Sequence, residues 1–175
     1  MSVDDSEPRA RFEALFGRYH APVRAYVVRR SAGVVVEDVV ADTFLVAWRR
    51  LEDVPDLALP WLLGVARRVL ADQRRAARRR RSLTERLLRE SSPPGPWSPP
   101  VGLSAELTDA LRVLTERERE ALLLVAWDGL SPRDAAVVAG CSSSAFRVRL
   151  YRARERVAAR LGIDQGTPNI TERLA

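Results

Sequence analysis

The sequence predicts an all-α protein of two small helical domains joined by a flexible Pro-rich linker. Apolar residues recur at three- and four-residue spacing, which is the period of one buried helix face. No stretch shows the sustained two-residue alternation, bounded by turn residues, that is typical of a β-hairpin. The segment 91–102 contains five Pro, two Gly and no charged residue, so it can form neither helix nor sheet.

The domain organisation follows from the position of this Pro-rich segment. A chain of 175 residues allows two domains of roughly 70–80 residues each. We therefore expect a first domain over residues 1–90, a linker over 91–103, and a second domain with a short tail over 104–175. Apolar residues make up 46% of the chain, which is enough for two cores and excludes global disorder.

The charge of the chain favours a polyanionic partner. The formal net charge is +6 and the pI is about 10.7, which suits nucleic acid, although an anionic membrane surface would fit too. All 29 basic residues are Arg, the residue type best suited to paired hydrogen bonds with phosphate or guanine. Codon bias in a GC-rich genome is the simpler explanation, because even the polar positions lack Lys.

The sequence favours the cytoplasm as the compartment. No apolar run approaches the ~20 residues that are needed to span a membrane. The acidic segment 1–8 lacks the basic start and the apolar stretch of a signal peptide. Cys141 is the only Cys, so no internal disulfide can form, which agrees with a reducing compartment.

The first domain begins with a predicted amphipathic helix. Its apolar residues lie three or four positions apart, so we expect them to form a buried face. They are Phe12, Leu15, Phe16 and Tyr19. Pro22 should either open a second helix or kink this one.

Two more amphipathic helices are predicted before the linker. One covers residues 36–51, with acids at its polar positions, and a loop with two Pro follows it. The other begins near Trp61 and runs into an arginine tract, residues 74–81. Ser82 and Glu85 have the spacing of a capping box, which predicts a separate short helix after the tract.

Capping residues predict four helices in the second domain. Each predicted start has a Ser or Thr whose oxygen can accept a hydrogen bond from a free backbone N–H group. The predicted caps are Ser104, Thr115 with Glu118, Ser131 with Pro132 and Asp134, and the serines at 142–144. Gly129, Gly140 and Gly162 follow apolar stretches and are predicted to end helices.

The last two of these helices have the spacing of a helix-turn-helix. A short helix from Pro132 to Val138 and a turn with Gly140 precede a long Arg-rich helix that ends near Leu161. The apolar residues of the long helix form one docking stripe: Phe146, Leu150, Ala153, Val157 and Leu161. The opposite side carries Ser144, Val148, Tyr151, Arg152 and Glu155. Arg147 and Arg154 flank the stripe on one side, and Arg149 and Arg156 flank it on the other.

This long helix is the strongest candidate for a DNA-binding element. A helix with small residues at its N-terminal tip can enter the major groove while its N–H groups and flanking Arg hold phosphates. We expect Arg147 to meet base edges and Arg149 to meet phosphate, and Arg156 to matter little. The alternative is a solvated basic face on a structural helix.

A second basic surface precedes the linker. Helical spacing places Arg67, Arg74, Arg78 and Arg81 on roughly one side, where they could follow a phosphate backbone. Trp61 could stack on an unpaired base, although a lone Trp is more often part of a core. The tract alone is also compatible with a nuclear import signal or with binding to an anionic membrane.

The sequence predicts no catalytic or metal site. His20 is the only His, and no Cys/His cluster has the spacing of metal ligands. No glycine-rich phosphate loop follows a strand, and the serines at 142–144 have no nearby His to activate them. We therefore expect a protein that is not an enzyme and that uses no cofactor and no small-molecule substrate.

The order of these blocks resembles sigma factors of the extracytoplasmic function (ECF) group, the compact members of the sigma-70 family. The resemblance covers roughly residues 9–162 and rests on four blocks. Residues 12–30 are similar to the opening helices of the sigma-two domain, and residues 37–48 (EDVVADTFLVAW) are similar to the helix that binds the polymerase clamp. Residues 60–75 (PWLLGVARRVLADQRR) are similar to the helix that binds the minus-ten element. Residues 130–136 (LSPRDAA) and 146–154 (FRVRLYRAR) together are similar to the part that binds the minus-thirty-five element.

The resemblance implies a function and assigns residues to it. It implies a bacterial RNA polymerase sigma factor that binds core RNA polymerase and directs transcription initiation at specific promoters, with an anti-sigma protein as a common partner in the family. The implied core-binding residues are Asp38, Asp42, Phe44 and Trp48. The implied minus-ten residues are Trp61, Arg67, Arg68, Arg74, Arg75 and Arg78. The implied minus-thirty-five residues are Ser143, Ser144, Arg147, Arg149 and Arg152.

The chain departs from the family pattern at several positions. Arg68 stands where the family often has Asn, and Ala41 stands where it often has Gln. Phe146 replaces a smaller β-branched residue, which should not matter in a core. The loop 52–59 has three acids and no aromatic residue, which leaves its base-capturing contacts open.

Two other classes of function fit parts of the sequence. One is a stand-alone transcription regulator, which would need a dimer interface to double its DNA contacts. The other is an adaptor that binds anionic membrane or RNA through the arginine tract. Co-purification with core RNA polymerase together with promoter-dependent run-off transcription is expected only of a sigma factor.

Overall fold

The structure is a computed structural model that describes residues 6–31, 34–88 and 103–162, apart from the side chains of residues 78 and 80–88. All regular secondary structure within these ranges is helical, so the predicted fold class is confirmed. The chain forms two compact units, Met1–Pro96 and Trp97–Ala175. The predicted linker 91–103 lies outside the described residues except for its last residue, and the bounds of the linker and of the two domains stay a prediction.

In the described residues of the first unit there are three α-helices, each of which contacts the other two. They are α1 (Ser6–Val28), α2 (Val36–Arg49) and α3 (Ala58–Leu88), with a 3₁₀ turn at Leu51–Asp53 between the last two. The core lies where the end of α1 meets α2 and the first half of α3. Its largest fully buried side chains are Val23, Tyr26, Val27, Val39 and Leu62.

The predicted burial of the first turns of α1 is wrong. Of the four residues expected to be buried there, Phe16 is 41% exposed and the other three are half-buried. Phe12 packs against Trp48 of α2, with ring centroids 5.1 Å apart, and Phe16 packs against Phe44 at 4.8 Å. Helix α2 covers these rings on one side, and no other described element covers their outer side. The apolar periodicity of α1 therefore extends beyond the part of the helix that is buried in the core.

One of the two alternatives for Pro22 is excluded, and the helix start predicted at Ser82 is wrong. Helix α1 contains Pro22 and continues to Val28, so Pro22 does not open a second helix. The missing N–H group of Pro removes one helical hydrogen bond, and the buried residues that follow it offset that loss. Helix α3 passes through Ser82, which therefore caps no separate helix. Arg and Ala favour helix, and no Gly or Pro interrupts residues 65–88.

The described part of the second unit, residues 103–162, contains four helices, and the last of these contacts the other three. They are α4 (Ala105–Arg112), α5 (Glu116–Ala126), α6 (Pro132–Ala139) and α7 (Ser143–Leu161). Every predicted cap is confirmed, because each cap side chain accepts a hydrogen bond from a backbone N–H in the first turn. The docking stripe of α7 is buried, except that its last residue, Leu161, is half-buried.

No helix in the described ranges is long and apolar enough to cross a membrane. In the same part of the chain, no group of three or more His, Cys, Asp and Glu side chains is placed to hold a metal ion.

Replacing Gly140 with Ala should lower the free energy of unfolding of the second unit by about 1 kcal/mol. Gly140 ends α6 with a φ of +64°, a conformation that disfavours any residue with a Cβ. A Cβ at this position meets no atom within 4 Å, so the whole cost lies in the backbone. Urea unfolding of the full chain measures the change.

Gly17→Ala is the matched control for this substitution. Gly17 lies inside α1, and an added Cβ there also has open space, so Ala should stabilise the first unit by roughly 0.5–1 kcal/mol. If Gly140→Ala were as stable as the unchanged protein, the left-handed turn between α6 and α7 would be contradicted.

Candidate nucleic-acid interface

The turn between α6 and α7 places the N-terminus of α7 at the surface. Gly140 turns the chain, and the backbone N–H of Cys141 then bonds back to the carbonyl of Ala136 at 3.1 Å. Ser142 caps α7, with its hydroxyl oxygen 3.2 Å from the N–H of Ala145 and 3.1 Å from the hydroxyl of Ser144. The tip of α7 is therefore small and polar, which allows close approach to a duplex.

The predicted minus-thirty-five residues lie around α7 outside its docking stripe, with Arg147 and Arg149 on opposite flanks. Ser143, Ser144, Arg147 and Arg152 are exposed, while Arg149 is half-buried. Arg147, which is expected to contact base edges, and Arg149, which is expected to contact phosphate, thus differ in exposure. Arg147 has the freer side chain of the two.

Two apolar side chains share this outward surface with the arginines. Val148 and Tyr151 are exposed, one turn and two turns beyond Ser144. Both were predicted on the outward side but not among the DNA-binding residues. Helical spacing from Ser144 was the signal that could have added them, because an apolar group on a groove-facing helix can contact a thymine methyl.

The far half of α7 is joined to α5 by an ion pair. Arg156 Nη1 lies 3.0 Å from Glu118 Oε2, and the Glu118 side chain is only 8% exposed. Glu118 also completes the capping box of α5 with Thr115. Nearby, Arg119 donates to the carbonyl oxygens of Leu111 and Leu114, both at 2.8 Å, and so satisfies the end of α4.

The arginines of α3 divide into a solvent-facing row and a half-buried row. Arg68, Arg75 and Arg79 are exposed and lie on one side of the helix, because 7 and 11 residues correspond to nearly whole turns. Arg67 and Arg74 are half-buried, and Arg74 Nη2 donates to the carbonyl of Arg30 after α1. Of the row that helical spacing predicted, Arg67 and Arg74 are thus half-buried, and the side chains of Arg78 and Arg81 lie outside the described residues.

The other predicted residues of α3 are placed as follows. Trp61 is half-buried at the start of the helix, and Arg75 forms an ion pair with Asp72 one turn earlier. The side chain of Arg78 lies outside the described residues. The assignment of these residues to the minus-ten element stays a prediction.

The predicted core-binding residues lie on α2. Asp38 and Asp42 are exposed one turn apart, and Asp42 Oδ2 accepts a hydrogen bond from Gln73 of α3 at 3.1 Å. Trp48 is half covered by Phe12 and exposes the rest of its ring. Phe44 is only 3% exposed, so any effect it has on a partner passes through the rings it supports.

Comparison with known proteins places both units in one family. Residues 15–80 match the model of sigma-70 region 2, and residues 104–157 match that of sigma-70 region 4. The RNA polymerase sigma factor NccH of Alcaligenes xylosoxydans xylosoxydans is 34% identical over 78% of this chain and 80% of its own length. The chain belongs to the ECF group of the sigma-70 family. The ECF sigma factor SigC of Mycobacterium tuberculosis is 36% identical over 70% of this chain and 68% of its own length.

Solved structures agree with this sigma-factor fold. The sigma factor RpoE in complex with the anti-sigma factor NepR, from Bartonella quintana, matches with a TM-score of 0.61 and 25% identity. That match covers 88% of this chain and 98% of RpoE. The structure of CnrH with the cytosolic domain of CnrY matches with a TM-score of 0.55 and 28% identity, covering 88% of this chain and 89% of CnrH.

The family matches include the candidate surfaces of this sigma factor. The region 2 match extends over α2 and most of α3, and the region 4 match extends from the start of α4 to Val157 of α7. Glu118 and Arg156 both lie inside the region 4 match. The assignment of single residues to polymerase or to promoter elements comes from the sequence and stays a prediction.

Proposed function

We propose that this sigma factor binds core RNA polymerase and directs it to specific promoters. The first unit binds the polymerase through α2 and the minus-ten element through α3, and the second unit binds the minus-thirty-five element through α7. The observation that carries the proposal is the surface of α7: one buried stripe docks the helix, while its capped tip and four exposed polar residues (Ser143, Ser144, Arg147 and Arg152) face solvent.

The same proposal includes how the protein acts and where. It contributes promoter specificity to an enzyme and carries out no reaction of its own, and it acts in the bacterial cytoplasm. Because RpoE was solved in complex with an anti-sigma factor, an anti-sigma protein is a further expected partner of this chain.

Run-off transcription with core RNA polymerase tests the proposal. The full chain is mixed with purified core enzyme on a panel of genomic fragments, and transcripts of defined length should appear only when both proteins are present. A stand-alone regulator would bind fragments without core enzyme and would start no transcript. The absence of both core co-purification and specific run-off products would reject the proposal.

Neutralising the exposed row of α3 should weaken promoter binding through lost phosphate contacts. In the double variant Arg68→Gln with Arg79→Gln, the slope of log affinity against log salt should fall in magnitude by roughly 1.5, since each phosphate contact releases about 0.7–0.9 counterions. Sequence preference should change little, because phosphate contacts carry no direct base information. Fluorescence anisotropy with promoter DNA at several salt concentrations measures both quantities.

Arg74→Gln is the comparison variant for this experiment. Its guanidinium bonds to the carbonyl of Arg30, so its loss should change the salt slope less than the double variant does. A reduced affinity with an unchanged slope in the double variant would show that Arg68 and Arg79 do not touch phosphates.

A further inference from the structure

Glu118 is the one charged side chain that is buried among the described residues. Its Oε2 atom accepts three hydrogen bonds: from the backbone N–H of Thr115 at 3.0 Å, from the Thr115 hydroxyl at 2.8 Å, and from Arg156 Nη1 at 3.0 Å. The capping box of α5 is complete without Arg156, because Thr115 Oγ1 accepts a hydrogen bond from the backbone N–H of Glu118 at 3.3 Å and Glu118 Oε2 accepts the one from the N–H of Thr115. The bond from Arg156 serves another purpose, because it reaches 38 residues along the chain to α7.

The charge of Glu118 is maintained by its surroundings. Burial opposes ionisation, but the hydrogen bonds from Thr115 and the positive charges of Arg156 and Arg152 outweigh it and lower the pKa of Glu118. The carboxylate is therefore ionised at neutral pH, and a buried negative charge is unfavourable unless a positive charge lies next to it. Arg156, with half of its side chain exposed, supplies that cation and is not free to neutralise a DNA phosphate.

The position of Arg156 on α7 ties one flank of the helix to α5. Arg156 lies seven residues after Arg149, which is nearly two whole turns, so the two side chains share a flank. Arg149 on that flank is half-buried, whereas Arg147 on the opposite flank is exposed. The ion pair thus holds the Arg149 flank toward the protein and leaves the Arg147 flank facing outward.

The ion pair adds a directional contact to an apolar docking surface. The docking stripe of α7 is buried and close-packed, and it includes the small residue Ala153. Apolar contacts have no preferred hydrogen-bond direction, whereas the pair of Arg156 and Glu118 has one. Beside the stripe, the ion pair therefore adds to the resistance of α7 to rotation.

We propose that Glu118 is a positioning residue for promoter recognition, which acts through Arg156 to fix the rotation of α7 and so decides which flank of the helix meets the base edges. The inference rests on the proposed function of α7 as the minus-thirty-five reader. It replaces the expectation from sequence that Arg156 matters little, and gives Arg156 a role that requires no contact with DNA.

The test compares two variants that break the ion pair with two that keep it. Glu118→Gln keeps an oxygen that can cap α5 but removes the charge, and Arg156→Gln removes the cation. Arg156→Lys retains a cation at the same place, and Arg160→Gln removes an exposed Arg one turn further along α7. Each full-length variant is reconstituted with core RNA polymerase and bound to promoter fragments at several salt concentrations. The fragments differ only in the minus-thirty-five element: one has the element selected by the unchanged holoenzyme, the other a scrambled one.

Both ion-pair variants should lose about three- to tenfold of the preference for the selected element, which lies in the lower part of the roughly 2- to 150-fold range expected for coupling between contacting residues. Arg156→Gln should leave the slope of log affinity against log salt unchanged, because its guanidinium is bound to Glu118. Glu118→Gln should steepen that slope by up to about 0.9, because Arg156 is then free to bind a phosphate. Arg156→Lys and Arg160→Gln should retain the original preference.

Three results would overturn the inference. One is full preference in folded Glu118→Gln and Arg156→Gln proteins. Another is a slope that falls by about one unit in Arg156→Gln, since Arg156 would then contact phosphate. If the Glu118→Gln protein does not fold, the Arg156→Gln protein alone tests the inference. The Arg156 side chain is half exposed, and its loss leaves the capping box of α5 in place. The third is a failure of the unchanged holoenzyme to select any minus-thirty-five element, which would overturn the proposed function as well.

Discussion

Reversing the charges of Asp38 and Asp42 should abolish binding of core RNA polymerase while leaving the fold intact. The two carboxylates lie one turn apart on the exposed side of α2, where they form an acidic pair suited to a basic partner surface. In the variant Asp38→Arg with Asp42→Arg, the pair becomes two cations, and placing like charges against each other costs several kcal/mol, of order 100-fold or more in affinity. Pull-down of core enzyme by the tagged full chain measures the loss.

Two control variants separate this effect from changes in charge and packing. Glu52→Arg with Asp56→Arg changes the net charge by the same amount at exposed positions outside α2 and should leave core binding intact. Gln73→Ala removes the hydrogen bond to Asp42 without altering its charge and should also bind core enzyme. Circular dichroism checks the fold, because an Arg in the first turn of α2 costs about 0.3–1 kcal/mol against the helix dipole. A folded double variant that pulls down core enzyme normally would show that these carboxylates are ordinary solvated acids.

Arg147→Ala should cost about 1–3 kcal/mol at the minus-thirty-five element and relax the base preference there. Arg147 lies in the second turn of α7, where a helix in the major groove meets base edges, and its side chain is exposed on the flank away from Glu118. Arg149→Ala should instead weaken binding to all sequences about equally and reduce the salt slope by roughly one unit. Binding-site selection with each variant holoenzyme distinguishes the two roles.

The two arginines serve as controls for each other, since both substitutions remove the same charge from neighbouring positions. An exchange of the two results would mean that α7 is rolled in the groove toward the Arg149 flank. Unchanged base preference in both variants would mean that α7 does not read the minus-thirty-five element.

The features that the sequence alone determined are those that depend on neighbours within a few positions. The caps at Ser104, Thr115, Ser131 and Ser142 were predicted correctly because a cap bonds to a backbone N–H three residues away. The helical class and the docking stripe of α7 followed from a period of three to four residues. The order of these motifs also led to the correct family.

The tertiary structure decided which parts of these helices are covered and which charges are engaged. The apolar face of α1 has the same period on both sides of Pro22, yet only the residues after Pro22 enter the core. Arg74, Asp42 and Arg156 are all polar positions on amphipathic helices, and each bonds to a residue 31–44 positions away. Helical period gives a side chain's direction around its own helix but not the atoms that a neighbouring helix brings to it. The sequence therefore placed Arg147 and Arg149 on opposite flanks of α7, but their difference in exposure emerged only from the packing of α7 against the other helices of its unit.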